Sequence, residues 1–261
     1  MSISVIGTGR AAFHLGHALQ RADCTIVSVT GRSADRTQEL ATALNATPLS
    51  PTDQLPNSDV ILIAVSDDAI AEVAKELPTS DAVFVHLSGA SGFERLAPHA
   101  HRAVLWPVMT LSPGVPMDFA RIPLVVDANT ERARSLVLSF ANSLSERVTQ
   151  LAHADRELVH AAAAISTNFP LHLLDAAQAL LQANNIPSDL IVPSFSAMAE
   201  KARVLGPHDA LTGPARRGDI GTVHRHLDRL TQVPDLRAAY ALLSNMILRA
   251  YGHTDHDQHD V

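Results

Sequence analysis

The sequence predicts an α/β fold, in which a doubly wound parallel sheet is followed by an all-α C-terminal domain. Short apolar segments typical of strands alternate with helical segments over residues 1–152. One of these strands, residues 59–65, is apolar after its first residue, as expected where helices cover both faces of a sheet. After about residue 153 the strand pattern stops, and apolar residues recur at helical spacing instead.

Seven strands are predicted in the N-terminal part, each from a short run of β-branched or other apolar residues. They cover residues 2–6, 25–30, 59–65, 82–86, 103–106, 122–126 and 147–151. Helices are predicted at residues 13–21, 34–44, 69–77 and 130–143. A loop rich in proline and glycine, 107–121, separates the fifth and sixth strands.

The C-terminal part is predicted to be helical throughout. Its apolar spacing predicts one long helix over 153–183, which Pro170 should kink or split. Further helices are predicted at 188–204, 219–231 and 235–251. We therefore expect a sheet domain at residues 1–152, a helical domain at 153–251 and a disordered tail at 252–261.

Composition argues against several classes of protein. A net charge of −7 over 261 residues is atypical of a nucleic-acid-binding or membrane-binding surface. The longest strongly apolar run, 60–65, is too short to cross a bilayer. The single cysteine, Cys24, has no partner for an internal disulfide, which suits a reducing cytoplasm. We expect no metal site, because no Cys/His spacing typical of metal ligands is present.

A glycine turn joins the first strand to the first helix. The segment Gly7-Thr8-Gly9-Arg10-Ala11-Ala12 follows the G-x-G-x-x-A pattern. The first glycine permits a tight turn, the second lets the backbone approach a pyrophosphate, and the helix N-terminus favours its negative charge. The turn therefore predicts dinucleotide binding at residues 7–11, with a strand–turn–helix that binds nothing as the alternative.

The end of the second strand favours NADP(H) over NAD. An NAD site usually carries an acidic residue there, about 20 residues after the glycines. This chain instead has Gly31, Arg32 and Ser33, and its first carboxylate is Asp35. The planar guanidinium of Arg32 and the Ser33 hydroxyl suit a 2′-phosphate. Alternatively, Arg32 is a solvated loop residue and Ser33 caps the following helix.

Two further strand ends are expected at the same edge of the sheet, where ligands of such folds bind. Val65, Ser66 and Asp67 are predicted to line the adenosine and phosphate side. Ser88 and Gly89 are predicted beside the nicotinamide or a substrate carboxylate. The alternative for Ser88 is that its hydroxyl closes a turn after the strand.

Several motifs together resemble one family. They are Val65–Ile70 (VSDDAI), His86–Gly89 (HLSG), Trp106–Ser112 (WPVMTLS), His160–Ala163 with Asn168, Phe169 and His172, and Leu211–Asp219 (LTGPARRGD). The chain resembles proteins in which a Rossmann-like domain precedes a DUF2520 domain. These are distant relatives of 6-phosphogluconate dehydrogenases, ketopantoate reductases, pyrroline-5-carboxylate reductases and deazaflavin-dependent NADP reductases. One departure is Met109, which stands where the family usually has a glutamine.

The resemblance implies an NADP(H)-dependent oxidoreductase acting on a small carbonyl or imine substrate that bears a carboxylate. Ketopantoate-like keto acids and cyclic imines are the first candidates by kinship. Two alternatives stay open, a non-catalytic NADP-binding sensor and hydride exchange between NADP and a deazaflavin. Kinship also implies a homodimer formed through the helical domain.

The resemblance also implies candidate catalytic residues on the helix 153–183. Related β-hydroxyacid dehydrogenases place a lysine and an asparagine four residues apart on the matching helix. If Asn168 is that asparagine and orients the substrate, Ala164 stands at the lysine position. His160 or His172 is then the candidate acid/base, because imidazole titrates near neutral pH.

Arg217 is the last candidate, within the Leu-Thr-Gly-Pro motif. Its guanidinium is expected either to bind a substrate carboxylate or to pair with Asp219. Asp219 itself is expected to cap the helix that follows.

Overall fold

A computed structural model of the protein describes residues 1–253, so most of the tail predicted at 252–261 lies outside the described residues. The chain divides into two compact units, Met1–Ser166 and a second that begins at Thr167. The domain boundaries drawn from the sequence remain a prediction.

Within residues 1–166, which the structure describes completely, eight strands form a single sheet in the order β3-β2-β1-β4-β5-β6-β7-β8. The strands are β1 (Ser2–Ile6), β2 (Thr25–Thr30), β3 (Thr47–Leu49), β4 (Val60–Ile63), β5 (Val83–His86), β6 (His101–Pro107), β7 (Leu124–Ala128) and β8 (Val148–Gln150). All neighbouring pairs are parallel except β6 with β7. The predicted fold class is confirmed.

Two features of the sheet differ from the prediction in detail. β6 and β7 run antiparallel because the segment between them contains no helix, and a parallel pair needs a long crossover connection. β3 was not predicted, since it is a three-residue strand at the sheet edge that contains Pro48. Proline lacks the amide hydrogen that a central strand would need, so the segment does not resemble a strand in sequence.

Helices cover both faces of the sheet. The helices of the first unit are α1 (Arg10–Arg21), α2 (Ala34–Ala43), α3 (Ile70–Glu76), α4 (Glu131–Leu144) and α5 (His153–Ala163). Leu62 of β4 belongs to the apolar cluster that contains Leu15 of α1 and Phe140 of α4. The next residue, Ile63, belongs to the cluster that contains Ile70 of α3. This alternation explains why β4 is apolar along its length.

The register of the central strands creates the edge at which a ligand can bind. Ile6, the last residue of β1, pairs with Thr30 of β2 on one side and with Ile63 of β4 on the other. The carboxyl ends of these three parallel strands are therefore level. Helix α1 begins at Arg10, three residues before the predicted start, so the glycine turn leads directly into it.

The second unit is helical over its described residues. After α5, a π-helical turn covers Ala164–Asn168, and α6 (Phe169–Ala183) carries Pro170 in its first turn. The remaining helices are α7 (Val192–Leu205), α8 (Pro207–Ala210), α9 (Ile220–Arg229) and α10 (Pro234–Ala250). Over residues 1–253, no helix combines the length and the apolar character that a membrane span requires.

Candidate functional site

The turn after β1 depends on a glycine at position 7. Gly7 has a φ of +115°, and its amide donates a hydrogen bond to the Thr30 carbonyl at 2.7 Å. A Cβ atom at this position would lie 2.3 Å from the Ala64 carbonyl oxygen. The turn therefore brings β1, β2 and the end of β4 closer together than a residue with a Cβ atom at position 7 would allow.

The N-terminus of α1 is open to an anion. Gly9 occupies the N-cap position, no side chain caps the helix, and its first turn carries no acidic residue. A Cβ atom added at Gly9 would meet nothing within 4 Å, so there is free space beside the backbone. Unpaired amide groups and the helix dipole make such an end a binding site for a phosphate.

A cavity of about 890 Å³ opens beside this turn. Its lining includes ten of the eleven predicted cofactor residues: Gly7, Thr8, Gly9, Arg10, Ala11, Gly31, Arg32, Ser33, Val65 and Ser66. Asp67, the eleventh, does not belong to the lining. The volume lies in the range of small-molecule and cofactor sites.

Two arginines line the cavity after the end of β2. Arg32 was predicted, whereas Arg36, in the first turn of α2, was not. Ser33 caps α2, and its hydroxyl accepts a hydrogen bond from the Arg36 amide at 3.5 Å. A cation in the first turn of a helix is unfavourable, because the helix dipole is positive at that end. An arginine at such a position is therefore the sequence signal that could have identified Arg36 as part of an anion site.

Another part of the cavity lining is apolar. Leu55, Val73 and Leu77 belong to the lining; Val73 lies on α3, and Leu77 directly follows that helix. Glu72 and Glu76 of the same helix also line it. The cavity therefore has a cationic end near β2 and a mixed apolar and acidic wall at α3.

The Ser88 hydroxyl uses its full hydrogen-bonding capacity within the protein. It donates to Asp67 Oδ2 at 2.7 Å and accepts from the amides of Ala90 and Ser91, at 3.2 and 3.0 Å. These contacts match the turn-closing alternative for Ser88. They also hold the Asp67 side chain toward the loop 87–92 instead of the cavity.

His86 fixes the loop 87–92 by hydrogen bonds to both of its ends. Its Nδ1 accepts a hydrogen bond from the Ser88 amide at 3.2 Å, so its Nε2 carries the proton and donates to the Gly92 carbonyl at 3.1 Å. Burial lowers the pKa of His86 to about 4. The ring is therefore neutral at physiological pH and joins the two ends of the loop.

Trp106 links the loop 87–92 to His160. A Cβ atom at Gly89 would lie 2.4 Å from Trp106 Cε2, so only glycine permits this approach. The ring centroids of Trp106 and His160 are 5.5 Å apart. The structure thus places two predicted residues, Gly89 and the exposed His160, beside one indole ring.

Arg156 is a further residue that sequence reasoning missed. It lies on α5, four residues before His160, and its side chain is 0% exposed. Its guanidinium donates to Asp127 Oδ2 at 2.9 Å and to the Ser91 carbonyl at 2.7 Å. The partners lie far away in sequence, so no local pattern could reveal them.

Asn168, His172 and Arg217 belong to the second unit, and all three are exposed. Asn168 ends the π-helical turn, and His172 lies on α6. A π-helical turn at 164–168, whose hydrogen bonds do not follow the regular 3.6-residue repeat, interrupts the single long helix predicted over 153–183.

The Leu-Thr-Gly-Pro motif forms a tight turn before α9. Asp219 caps this helix as predicted, accepting a hydrogen bond from the Thr222 amide at 3.0 Å. Hydrogen bonds from Thr222 lower the pKa of Asp219, and Arg217 adds a smaller electrostatic contribution. The adjacent Arg216 lies 4.6 Å above the Tyr251 ring, which leaves Arg217 as the exposed member of the pair.

No cluster of three or more histidine, cysteine, aspartate or glutamate side chains suited to a metal ion occurs in residues 1–253.

Comparison with known proteins gives matches along nearly the whole chain. A Rossmann-like domain family matches residues 1–113, and a domain of unknown function, DUF2520, matches residues 122–247. A protein from Bacteroides fragilis, provisionally named an NADP oxidoreductase, is 30% identical with a TM-score of 0.83, over 95% of this chain and 98% of that one. No curated protein sequence gives a significant match.

More distant structures share the fold. A pyrroline-5-carboxylate reductase from Streptococcus pyogenes is 17% identical, with a TM-score of 0.63 over 95% of this chain and 98% of its own. An imine reductase from Myxococcus stipitatus, solved with NADP⁺, is 16% identical, with a TM-score of 0.64 over 97% and 95%. The chain therefore has a distant structural similarity to NADP-dependent reductases.

Proposed function

Because this chain belongs to the family in which a Rossmann-like domain precedes a DUF2520 domain, we propose that it is an NADP(H)-dependent oxidoreductase. The proposed substrate is a small carbonyl or imine compound with a carboxylate, such as a ketopantoate-like keto acid or a cyclic imine. The observation that carries the proposal is the cavity beside the glycine turn, where two arginines and a serine follow β2 in place of an acidic residue. A cytoplasmic location is part of the same proposal.

The residues around this cavity fit the parts of an NADP(H) molecule. The open N-terminus of α1 would hold the pyrophosphate, and Arg32, Ser33 and Arg36 would hold the 2′-phosphate. Leu55 and Val73 would pack against the adenine ring. When bound, the cofactor supplies or accepts the hydride, and the protein has to orient the substrate and move one proton.

His160 is our candidate for the group that moves the proton. It is exposed, and its ring lies beside Trp106, which packs against Gly89 in the loop 87–92. Ser88 is a weaker candidate, because its hydroxyl already donates to Asp67 and accepts two amides. Asn168, His172 and Arg217 remain candidates for contact with the substrate, and their exposure supports this.

A non-catalytic NADP-binding sensor is the second candidate function. Ala164 at the expected lysine position favours it, as does the internal use of the Ser88 hydroxyl. This function predicts NADPH binding with no turnover, together with a change in assembly or partner binding when the nucleotide binds.

Isothermal titration with NADPH and NADH tests the proposed cofactor. We expect NADPH to bind about 30-fold more tightly than NADH, since charge-assisted hydrogen bonds to the 2′-phosphate contribute roughly 2 kcal/mol. A panel of keto acids and cyclic imines, followed by nicotinamide absorbance, then separates an enzyme from a sensor. Protein that is folded by circular dichroism and binds neither nucleotide would contradict the proposal.

A second copy of this chain is our proposed partner, bound through the helical part. Over the described residues, α6 and α7 bury no side chain, and large apolar residues such as Phe169, Leu171 and Met198 are exposed on them. Large apolar side chains exposed on two helices are typical of an interface between subunits.

Sedimentation equilibrium tests this partner. We expect a mass of twice 27.9 kDa for the wild-type protein. Leu171→Asp should shift the mass toward the monomer, because it places a charge in the apolar surface. Val115→Asp, at an exposed apolar residue of the first unit, is the matched control and should leave the dimer intact. A wild-type monomer at micromolar concentration would refute the proposal.

A further inference from the structure

Arg156 is a charged side chain that the proposed reaction does not use directly, yet it is 0% exposed. Besides Asp127 and the Ser91 carbonyl, its guanidinium donates to the Leu151 carbonyl at 3.4 Å and to His153 Nδ1 at 3.2 Å. Burying a guanidinium has a large desolvation cost, which one carboxylate and a set of hydrogen bonds can offset only when the geometry is good.

The partners of Arg156 lie on separate elements of the first unit. Asp127 belongs to β7, and its other oxygen, Oδ1, accepts the Ala128 amide at 2.9 Å. Ser91 belongs to the loop 87–92, whose two ends are joined by His86. Arg156 therefore connects α5 to β7 and to the loop that carries Ser88 and Gly89.

This connection fixes the surroundings of His160. Arg156 and His160 are four residues apart on α5, so they lie on the same side of the helix. Gly89 packs against Trp106, and Trp106 lies beside His160. Loss of the hydrogen bond to Ser91 would free the loop from α5 and change the distance between Gly89 and the imidazole.

Stability alone does not account for this ion pair. Replacing a buried ion pair by apolar residues of similar size is often neutral or stabilising, so the pair is a poor source of folding free energy. The contact with Ser91 is a directional hydrogen bond to a loop carbonyl, which fixes position. Val104, Val125 and Val159 form the apolar surroundings of Trp106, so apolar replacements are compatible with this region.

We propose that Arg156 is a positioning residue, which holds the loop 87–92 against α5 so that Gly89, Trp106 and His160 keep a fixed arrangement. The consequence for turnover rests on the proposed function, whereas the consequence for the loop does not. A fixed arrangement of the reacting groups matters because a displacement of about 1 Å can reduce a rate by roughly 100-fold.

The test compares three variants of the full chain. The first is the double variant Asp127→Leu/Arg156→Met, which removes both charges of the buried ion pair and so leaves neither one unpaired. Arg156→Lys keeps the charge beside Asp127 but lacks the planar fork that reaches Ser91 as well. Glu131→Gln/Arg134→Met removes an exposed ion pair and is the matched control.

Two readouts are combined. Trp106 is the single tryptophan of the chain, so its fluorescence and its quenching by acrylamide report on the contact with Gly89. We expect the first two variants to show increased quenching with unchanged far-ultraviolet circular dichroism. With a substrate from the panel, we expect kcat to fall about 10- to 100-fold while the Kd for NADPH stays within about threefold.

The outcomes separate the inference from the proposed function. If wild-type protein binds no NADPH, the proposed function fails, but the quenching of Trp106 still decides whether Arg156 positions the loop. Unchanged quenching and unchanged kcat in both variants, with only the thermal midpoint altered, would show that Arg156 is merely structural and overturn the inference. Increased quenching without a fall in kcat would overturn its link to the reaction.

Discussion

Arg32→Asp is expected to weaken NADPH binding about 100-fold while changing the affinity for NADH by less than about threefold. Arg32 lines the cavity directly after β2, where the 2′-phosphate would lie. The substitution removes a charge-assisted hydrogen bond and introduces a carboxylate that repels the phosphate. NADH has only a hydroxyl at this position, and a carboxylate can accept a hydrogen bond from it.

Isothermal titration of both nucleotides measures this change in preference. Arg36→Gln should weaken NADPH binding by a smaller factor of about 10, because the residue loses its charge without gaining the opposite one. Arg121→Asp, at an exposed arginine outside the cavity lining, carries the same change in charge and is the control for long-range electrostatics. Equal weakening of NADPH and NADH by Arg32→Asp would show that this side chain does not distinguish the two cofactors.

Gly7→Ala is expected to lower the free energy of unfolding by about 4 kcal/mol. The backbone at Gly7 has a φ of +115°, a conformation that is strained for alanine. The new Cβ atom would also lie 2.3 Å from the Ala64 carbonyl oxygen, so the strand β4 or the turn would have to move. Urea unfolding followed by circular dichroism measures the loss.

Gly9→Ala is the matched variant in the same turn. Gly9 has a φ of −80°, and an added Cβ atom meets nothing within 4 Å, so we expect a stability change of less than about 1 kcal/mol. The methyl group would instead occupy the space in which a pyrophosphate approaches the backbone, so NADPH binding should weaken. A Gly7→Ala protein with wild-type stability would show that the turn has room to adjust.

The fold was largely predictable because its signals are local. The apolar strand around Leu62 and the alternation of strands with helices identify a sheet covered on both faces. The edge strand at Pro48 was missed, since three residues carry too little pattern. The antiparallel direction of β7 was missed as well, because direction depends on the path of a loop and not on strand composition.

The candidate site was predictable only in part. The glycine turn and Arg32 follow from residues that are close in sequence, and the cavity includes them. The roles of His86 and Arg156 depend on backbone carbonyls at Gly92 and Ser91, which no residue type reveals in advance. The long helix predicted over 153–183 assumed regular α-helical geometry, and a π-helical turn at 164–168 interrupts it.

The sequence by itself determined the order of strands and helices and the place of the glycine turn, because backbone preferences and apolar spacing act over a few residues. Only the tertiary structure decided that the Ser88 hydroxyl forms hydrogen bonds with Asp67 and the loop amides. It likewise decided that the buried Arg156 joins α5 to the loop 87–92. The physical reason is that the partner of a buried hydrogen-bonding group is whichever group, often distant in sequence, the packing brings within hydrogen-bond distance.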